Sequence, residues 1–456
     1  MVERERRDPM RLTKAIMALV VLLTLSGATW AWAAFEAGGS VAVDFMYYSQ
    51  DKEGFGGDKG VARKGGTPTT AGYAGLNDDW TTVEKDRSAT FVDFSKTSFL
   101  WFRWTTKTND GLYVVPVLAG DARQATGTSS LTVAFVSAYG WYRVTPALTI
   151  FLGKGMPDIF SPYDPATYVG YDSIGKVTGL GYGNINSKYQ NGLTIKYLFS
   201  PKVSLDFGFF ESRLVDPNNS EYTSFGPYIG FSKDSADAKV DNVSTLPKVE
   251  LSLPLMFGRT KIVPSAMYLQ QKFDNIAPDA DDTITTYGVS LATEINIGNF
   301  QFMGEYNYGQ NWYDAAKLNV NTSYPFKSEY VAALGWAQSA AGASDGKLYD
   351  AECMAYWLQG SFKLGRFKPT LIYGNQTAKR DIPTQEVDVE TQMYGVNCPI
   401  EITKHLKITP EYMIYDNGDS NKFLHFGRLQ ATGYSTSDVY DCGQETVIAI
   451  ETRWRF

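Results

Sequence analysis

The chain closes on Glu445-Thr446-Val447-Ile448-Ala449-Ile450-Glu451-Thr452-Arg453-Trp454-Arg455-Phe456. Ile448, Ile450, Trp454 and Phe456 share one parity, whereas Glu451, Arg453 and Arg455 share the other. Successive side chains of a β-strand point to opposite faces, so this segment reads as a strand with one apolar and one charged face.

The opposite end reads as an export signal. Arg11 and Lys14 form a positive region, residues 15–25 an apolar one, and Ala31-Trp32-Ala33 offers a cleavage site. Residues 1–33 are therefore expected to be removed, leaving a mature chain from about Ala34, with Met10 as a second candidate start. The apolar run is short against the roughly 20 residues of a spanning helix, which weighs against a retained anchor. Charged or strongly polar residues interrupt every later apolar stretch before it reaches helix length. In a membrane, such a chain can satisfy its backbone only as a closed barrel.

Composition agrees. Residues 1–33 hold five basic and three acidic residues, so their removal leaves 37 and 46 and a net charge of −9. No basic stripe offers itself to phosphates, which argues against nucleic acid. A mean hydropathy of −0.23 suits a barrel, because only alternate residues face lipid. The 29 Tyr, 26 Phe and 10 Trp suit aromatic girdles at the two membrane interfaces.

Period-two patterning predicts about sixteen antiparallel strands in an all-β, closed transmembrane β-barrel spanning residues 34–456. They fall near 37–49, 88–107, 112–119, 130–143, 148–154, 184–199, 203–209, 246–257, 260–273, 284–297, 299–310, 348–363, 367–377, 388–402 and 406–416, and then the terminal strand. Tight connections (Asn109-Asp110-Gly111, Thr145-Pro146-Ala147, Ser200-Pro201-Lys202, Gly258-Arg259, Gly298-Asn299, Gly365-Arg366 and Lys404-His405) alternate with longer Asp-, Asn-, Gly- and Ser-rich ones. Short periplasmic turns and long extracellular loops are what a transmembrane barrel needs. Fourteen or eighteen strands stay open, because the 88–107 and 420–441 regions can be split or merged. Sixteen to eighteen strands leave room for an aqueous channel.

With Trp454 and Phe456 as its last aromatic pair, the terminal strand resembles those of bacterial outer-membrane proteins, which use this pattern as a signal to the barrel-assembly machinery. The whole mature chain is similar in architecture to the general porins. That resemblance implies a homotrimer in the outer membrane, in contact with lipid and lipopolysaccharide. It also implies a third long loop folded into the barrel, its acidic residues facing a basic cluster on the wall. The corresponding segment is 155–183, with Asp158, Asp164 and Asp172, stiffened by Pro157, Pro162 and Pro165. It lacks the Pro-Glu-Phe-Gly-Gly signature that some family members carry.

By parity, Asp44, Arg103, Lys188, Lys196, Asp206, Glu294, Glu305 and Glu411 face the lumen, where each sets a local field or is simply hydrated by channel water. Net negative charge points to mild cation preference. Trp101 and Trp357 share lumen parity, which keeps a substrate-specific channel for sugars or small acids open beside passive diffusion of ions and small solutes. A hydrolase would have to use His405 or His425, neither tied by a motif to a serine, so no enzyme is expected. A structural barrel without conduction fits poorly with sixteen strands. The clusters Asp279, Asp281, Asp282 and Asp416, Asn417, Asp419 lack full calcium-loop spacing, so no metal or cofactor is expected. Cys353, Cys398 and Cys442 match no metal or redox spacing, and an oxidising periplasm permits one disulfide among them.

Overall fold

Thr283–Ile297 shows how this sequence makes its wall. Ile284, Thr286, Gly288, Ser290 and Ala292 are buried, while Tyr287, Val289 and Leu291 between them are exposed. Fifteen residues exceed the 9–11 that a tilted strand needs to cross a bilayer. The computed structural model describes residues 32–50, 61–63, 80–82, 87–94, 98–119, 132–167, 179, 181–186, 190–211, 241–244, 246–274, 283–312, 338–339, 348–350, 352–382, 385–416, 419–421, 439–441 and 444–456.

The spanning strands are β1 (Trp32–Gln50), β2 (Arg87–Phe94 and Phe99–Thr106), β3 (Gly111–Ala119), β4 (Thr132–Arg143) and β5 (Leu148–Met156). Next come β6 (Gln190–Ser200), β7 (Val203–Phe210), β8 (Asp241–Ser244, Lys248–Ser252 and Leu255–Phe257), β9 (Thr260–Asp274) and β10 (Thr283–Ile297). The last six are β11 (Phe300–Gln310), β12 (Glu352–Phe362), β13 (Thr370–Ile382), β14 (Gln385–Asn397 and Ile400–Glu401), β15 (Leu406–Asp416) and β16 (Gln444–Arg455). Each pairs antiparallel with its neighbours in sequence, and β16 pairs back onto β1 from Ser40↔Arg455 to Gln50↔Glu445. The sheet is thus a closed, sixteen-stranded antiparallel barrel. The terminal residue finishes the seam: Gly39 donates to the Phe456 carbonyl at 3.1 Å, and the Phe456 amide donates to the Gly39 carbonyl at 3.2 Å.

Several boundaries differ from the sequence reading, β1 for example beginning at Trp32 rather than near 37. β6 begins at Gln190 rather than near 184, because Asn184 and Asn186 are buried inside the barrel as part of the preceding loop. β13 and β14 continue to Ile382 and Gln385, which pair directly, so the connection expected on that edge shrinks to two residues. At the short-turn end the left-handed positions fall where the turns were read, at Asn109 (φ 64°) and Gly298 (φ 58°).

The two faces are inverted relative to a soluble protein. Val41, Phe45, Val289, Leu291, Ile448 and Ile450 are exposed, while Asp44, Glu305, Glu411 and Glu451 are buried. Apolar exposure around a whole closed sheet requires an apolar solvent outside it. Exposed Tyr142, Phe199, Phe257, Phe300, Phe362 and Trp454 ring the short-turn end, and Tyr47, Tyr287 and Tyr308 mark the other. Such belts sit at lipid headgroups. Among the described residues no helix is long and apolar enough to cross a membrane; the strands do the crossing.

Candidate functional site

The segment following β5 turns into the barrel and is fastened to the inner wall strand by strand. Its start is set by Gly155 (φ 69°), where a Cβ would press on the Ser137 Cα at 2.7 Å. Asp158 then folds the segment on itself, its Oδ1 accepting the amides of Phe160 (2.9 Å) and Ser161 (3.2 Å). Glu250 on β8 accepts the amides of Ile159 (3.3 Å) and Phe160 (3.2 Å), and Ser265 on β9 donates to the Phe160 carbonyl at 2.5 Å. Glu305 on β11 accepts the Ser161 hydroxyl and the Tyr163 amide, the latter at 3.3 Å. Gln359 on β12 accepts the Ala166 amide at 2.8 Å, and Asn397 on β14 donates to the Ala166 carbonyl at 2.5 Å. On the returning limb, Thr391 donates to the Gly181 carbonyl at 2.6 Å, and Asn184 donates to Asp164 at 2.8 Å.

Apolar packing seals the same contact. Tyr182 meets Tyr415 edge-on at 5.1 Å, in a cluster with Met46, Trp357, Ile372, Met393, Met413 and Val447. These inward apolar residues of β1 and β12–β16 are covered by the loop instead of facing water. Gly288 and Gly309, opposite each other on β10 and β11, form a notch for Phe160 and Trp312. A Cβ on Gly288 would come within 2.6 Å of the Phe160 ring, and one on Gly309 within 2.5 Å of Trp312 Nε1. Trp312 Nε1 is itself held by the Tyr287 carbonyl at 3.0 Å. Buried carboxylates are costly unless hydrogen-bonded, and the loop amides supply those bonds to Glu250 and Glu305. Glu250 also pairs with Lys248 at 2.5 Å, both side chains being 1 % exposed.

The predicted residues take different places. Asp158, Asp164, Glu305 and Glu411 are engaged in holding structure: Glu411 accepts from Asn397 at 3.3 Å, and the other three fix the loop as described. Asp44 is buried on the inner face of β1, opposite Glu451. Glu294 accepts from Asn296 and Gln301 at 3.0 and 2.9 Å. Arg103, Lys196 and Asp206 lie on the wall that the loop leaves uncovered, where Lys196 pairs with Asp206 at 3.5 Å and Arg103 lies 3.9 Å from Glu36. Asp172 and Lys188 lie outside the described residues, as do His425, Cys442 and the acidic cluster at 279–282. So does the expected export signal, apart from Trp32 and Ala33, with which β1 begins.

Sequence reasoning missed Glu250, Ser265, Gln359, Thr391 and Asn397, the wall side of the loop attachment. Parity on Lys248-Val249-Glu250-Leu251-Ser252 carried a signal for the first, but nothing local says which inward residue meets a distant loop. His405 stacks on Trp454 with ring centres 5.9 Å apart, and its Nδ1 sits 2.9 Å from the Arg455 carbonyl, so this imidazole braces the terminal strand. Cys353 is buried on the inner face of β12, and Cys398 is half-buried. Among the described residues no group of three or more His, Cys, Asp or Glu is placed to hold a metal ion.

Between the loop and the short-turn end the uncovered wall leaves two adjoining recesses of about 420 and 660 Å³. They share Tyr139, Phe151 and Leu198. A sixteen-stranded closed barrel, apolar outside, polar inside and crossed by its own loop, is the fold of the outer-membrane porins, and it places the chain in the bacterial outer membrane.

No protein-family model and no curated protein sequence matches the chain. Solved structures do match it in fold. The outer membrane channel DcaP of Acinetobacter baumannii aligns with a TM-score of 0.56 at 15% identity, covering 93% of this chain and 97% of that one. A loop-deletion mutant of OmpT, an outer membrane protein of Vibrio cholerae, aligns at 0.47 and 12% identity over 93% and 100%. The anion-selective porin from Comamonas acidovorans aligns at 0.46 and 12% over 93% and 99%.

Proposed function

We propose that the chain is a water-filled porin, exported by cleavage of residues 1–33, through which ions and small hydrophilic solutes diffuse passively. The observation that carries this reading is the inward loop. It is fixed along β8–β14 and, among the described residues, touches the β4–β7 side only through Gly155, Met156 and Ile159, leaving open recesses there, which narrows a sixteen-stranded barrel without filling it. Nothing in the reading calls for catalysis or a cofactor. Three barrels packed by part of their outer walls are the assembly that best suits it.

The test is single-channel current through the refolded protein in a planar bilayer. Stable openings, arriving or closing in threes, are the expected result. Absence of current from demonstrably folded protein would remove the porin reading and favour a barrel that serves as a structural or recognition element.

A further inference from the structure

The wall left uncovered by the loop is built, not merely empty. Trp101 on β2, Tyr113 on β3 and Tyr139 on β4 follow one another at centroid distances of 6.2 and 5.4 Å. Trp141, two residues beyond Tyr139 on the same inward parity, carries the Arg103 guanidinium over its ring at 5.3 Å. All five line the larger recess.

Their mounting is specific. Trp141 Nε1 donates to the Asn109 carbonyl at 2.5 Å, and its ring lies so close over Gly111 that no Cβ fits there. The Asn109-Asp110-Gly111 turn is thus the seat of Trp141 as well as a hairpin. Asp110 fixes the same corner by accepting the Arg143 amide at 2.7 Å. Trp101 likewise lies over Gly38, where a Cβ would meet the indole at 2.8 Å. Side chains held in this way have little conformational entropy left to lose on binding.

Charge completes the site. Five basic side chains and three acidic ones line the two recesses. Each acid is engaged: Glu36 beside Arg103, Asp206 on Lys196, and Asp158 on loop amides. The surplus is positive, and Arg103, whose pairing with Glu36 is exposed and 3.9 Å long, offers a planar fork that a carboxylate can engage more closely.

We propose that this wall is a binding site for a planar organic anion, an aryl carboxylate, whose ring stacks on Tyr139 and Trp141 while its charge meets Arg103. The proposal deepens the porin reading by naming a solute class for the channel that it assumes. A neutral sugar would use the rings but leave the cations unanswered.

The full chain in a planar bilayer tests it, with benzoate and acetate as probes of equal charge. Benzoate should depress the chloride current at a concentration about three- to tenfold lower than acetate does, the margin one aromatic contact provides. Trp141→Leu should bring benzoate down to the level of acetate, and Trp141→Phe should restore part of the difference. Arg103→Lys keeps the charge but loses the fork, so it should weaken benzoate more than acetate. A conducting channel that treats the two anions alike, or whose discrimination survives Trp141→Leu, overturns the site and leaves the porin reading standing. Tryptophan fluorescence of the detergent-solubilised protein separates the two readings. Saturable quenching by benzoate and not by acetate in a non-conducting protein upholds the site and overturns the channel.

Discussion

Glu305 illustrates why a single buried side chain can set the width of a lumen. It is 2 % exposed and accepts the Ser161 hydroxyl, the Tyr163 amide and, at 3.0 Å, the Asn307 side chain. Hydrogen bonds to a charged group are worth about 1.5–3 kcal/mol each, so truncation to Ala weakens the loop attachment by about 3 kcal/mol. Glu305→Ala should therefore raise single-channel conductance and open a protease-sensitive loop, whereas Glu305→Gln, which keeps one accepting oxygen and sets an N–H against the remaining donor, should fall between Ala and wild type. Equal conductance in all three proteins would show that this carboxylate does not hold the loop. Asp110 offers a second test at this scale, in a turn outside the spanning strands. The Thr108 hydroxyl and then the Arg143 amide hold its carboxyl below the usual range. A depressed folded-state pKa stabilises above the unfolded value and is lost as pH falls through the folded one. Asp110→Asn should therefore lower thermal stability at neutral pH, and the difference from wild type should vanish once the medium is more acidic than the ordinary carboxylate range. A difference that persists unchanged into acid would locate the effect elsewhere.

Among elements, the strands were legible and the loop attachment was not, for a physical reason. Alternation on β6, with Leu193, Ile195, Tyr197 and Phe199 outward and Thr194 and Lys196 inward, is imposed by lipid on one side and water on the other. Any register slip would expose Lys196 to hydrocarbon, so the pattern must be written locally. Asp158 and Glu305 were legible as inward acids, yet their use as anchors is not, because Ser161 and Glu305 are 144 residues apart. The apolar inward residues Met393, Met413 and Val447 run against lumen logic until Tyr182 is seen to cover them. Boundaries shifted where a pairing partner extended a strand, as Gln385 does for Ile382. The lipid face gives its own prediction. Leu291, 49 % exposed in the middle of β10, faces the membrane core, and Phe300 lies at its edge. Arg at the midplane costs about 2–4 kcal/mol and near an interface about 0–1. Reversible unfolding from vesicles should rank Leu291→Arg as far more damaging than Phe300→Arg; the reverse order would misplace the belt.

For the whole molecule, net charge and pore charge point in opposite directions. Residues 34–456 carry a net −9, which alone would favour cations in the channel. Selectivity, however, is set by charges within a Debye length of the permeating ion, about 10 Å at 0.1 M salt, and loop charges beyond it are screened. Within the lumen, Glu250, Glu305 and Asp158 are turned to the loop backbone and Glu411 to Asn397. The wall on the β2–β7 side keeps Arg103, Arg143 and Lys196 against fewer carboxylates, Glu36 and Asp206. The reversal potential in a KCl gradient near 0.1 M should accordingly carry the sign of chloride preference, and the double variant Arg103→Gln with Lys196→Gln should move it toward potassium. Raising the salt tenfold shortens the Debye length to about 3 Å and should reduce the preference without reversing it. Cation preference in the unaltered protein at low salt would mean that the loop carboxylates, not the uncovered wall, face the ions, and that the route runs on the other side of the loop.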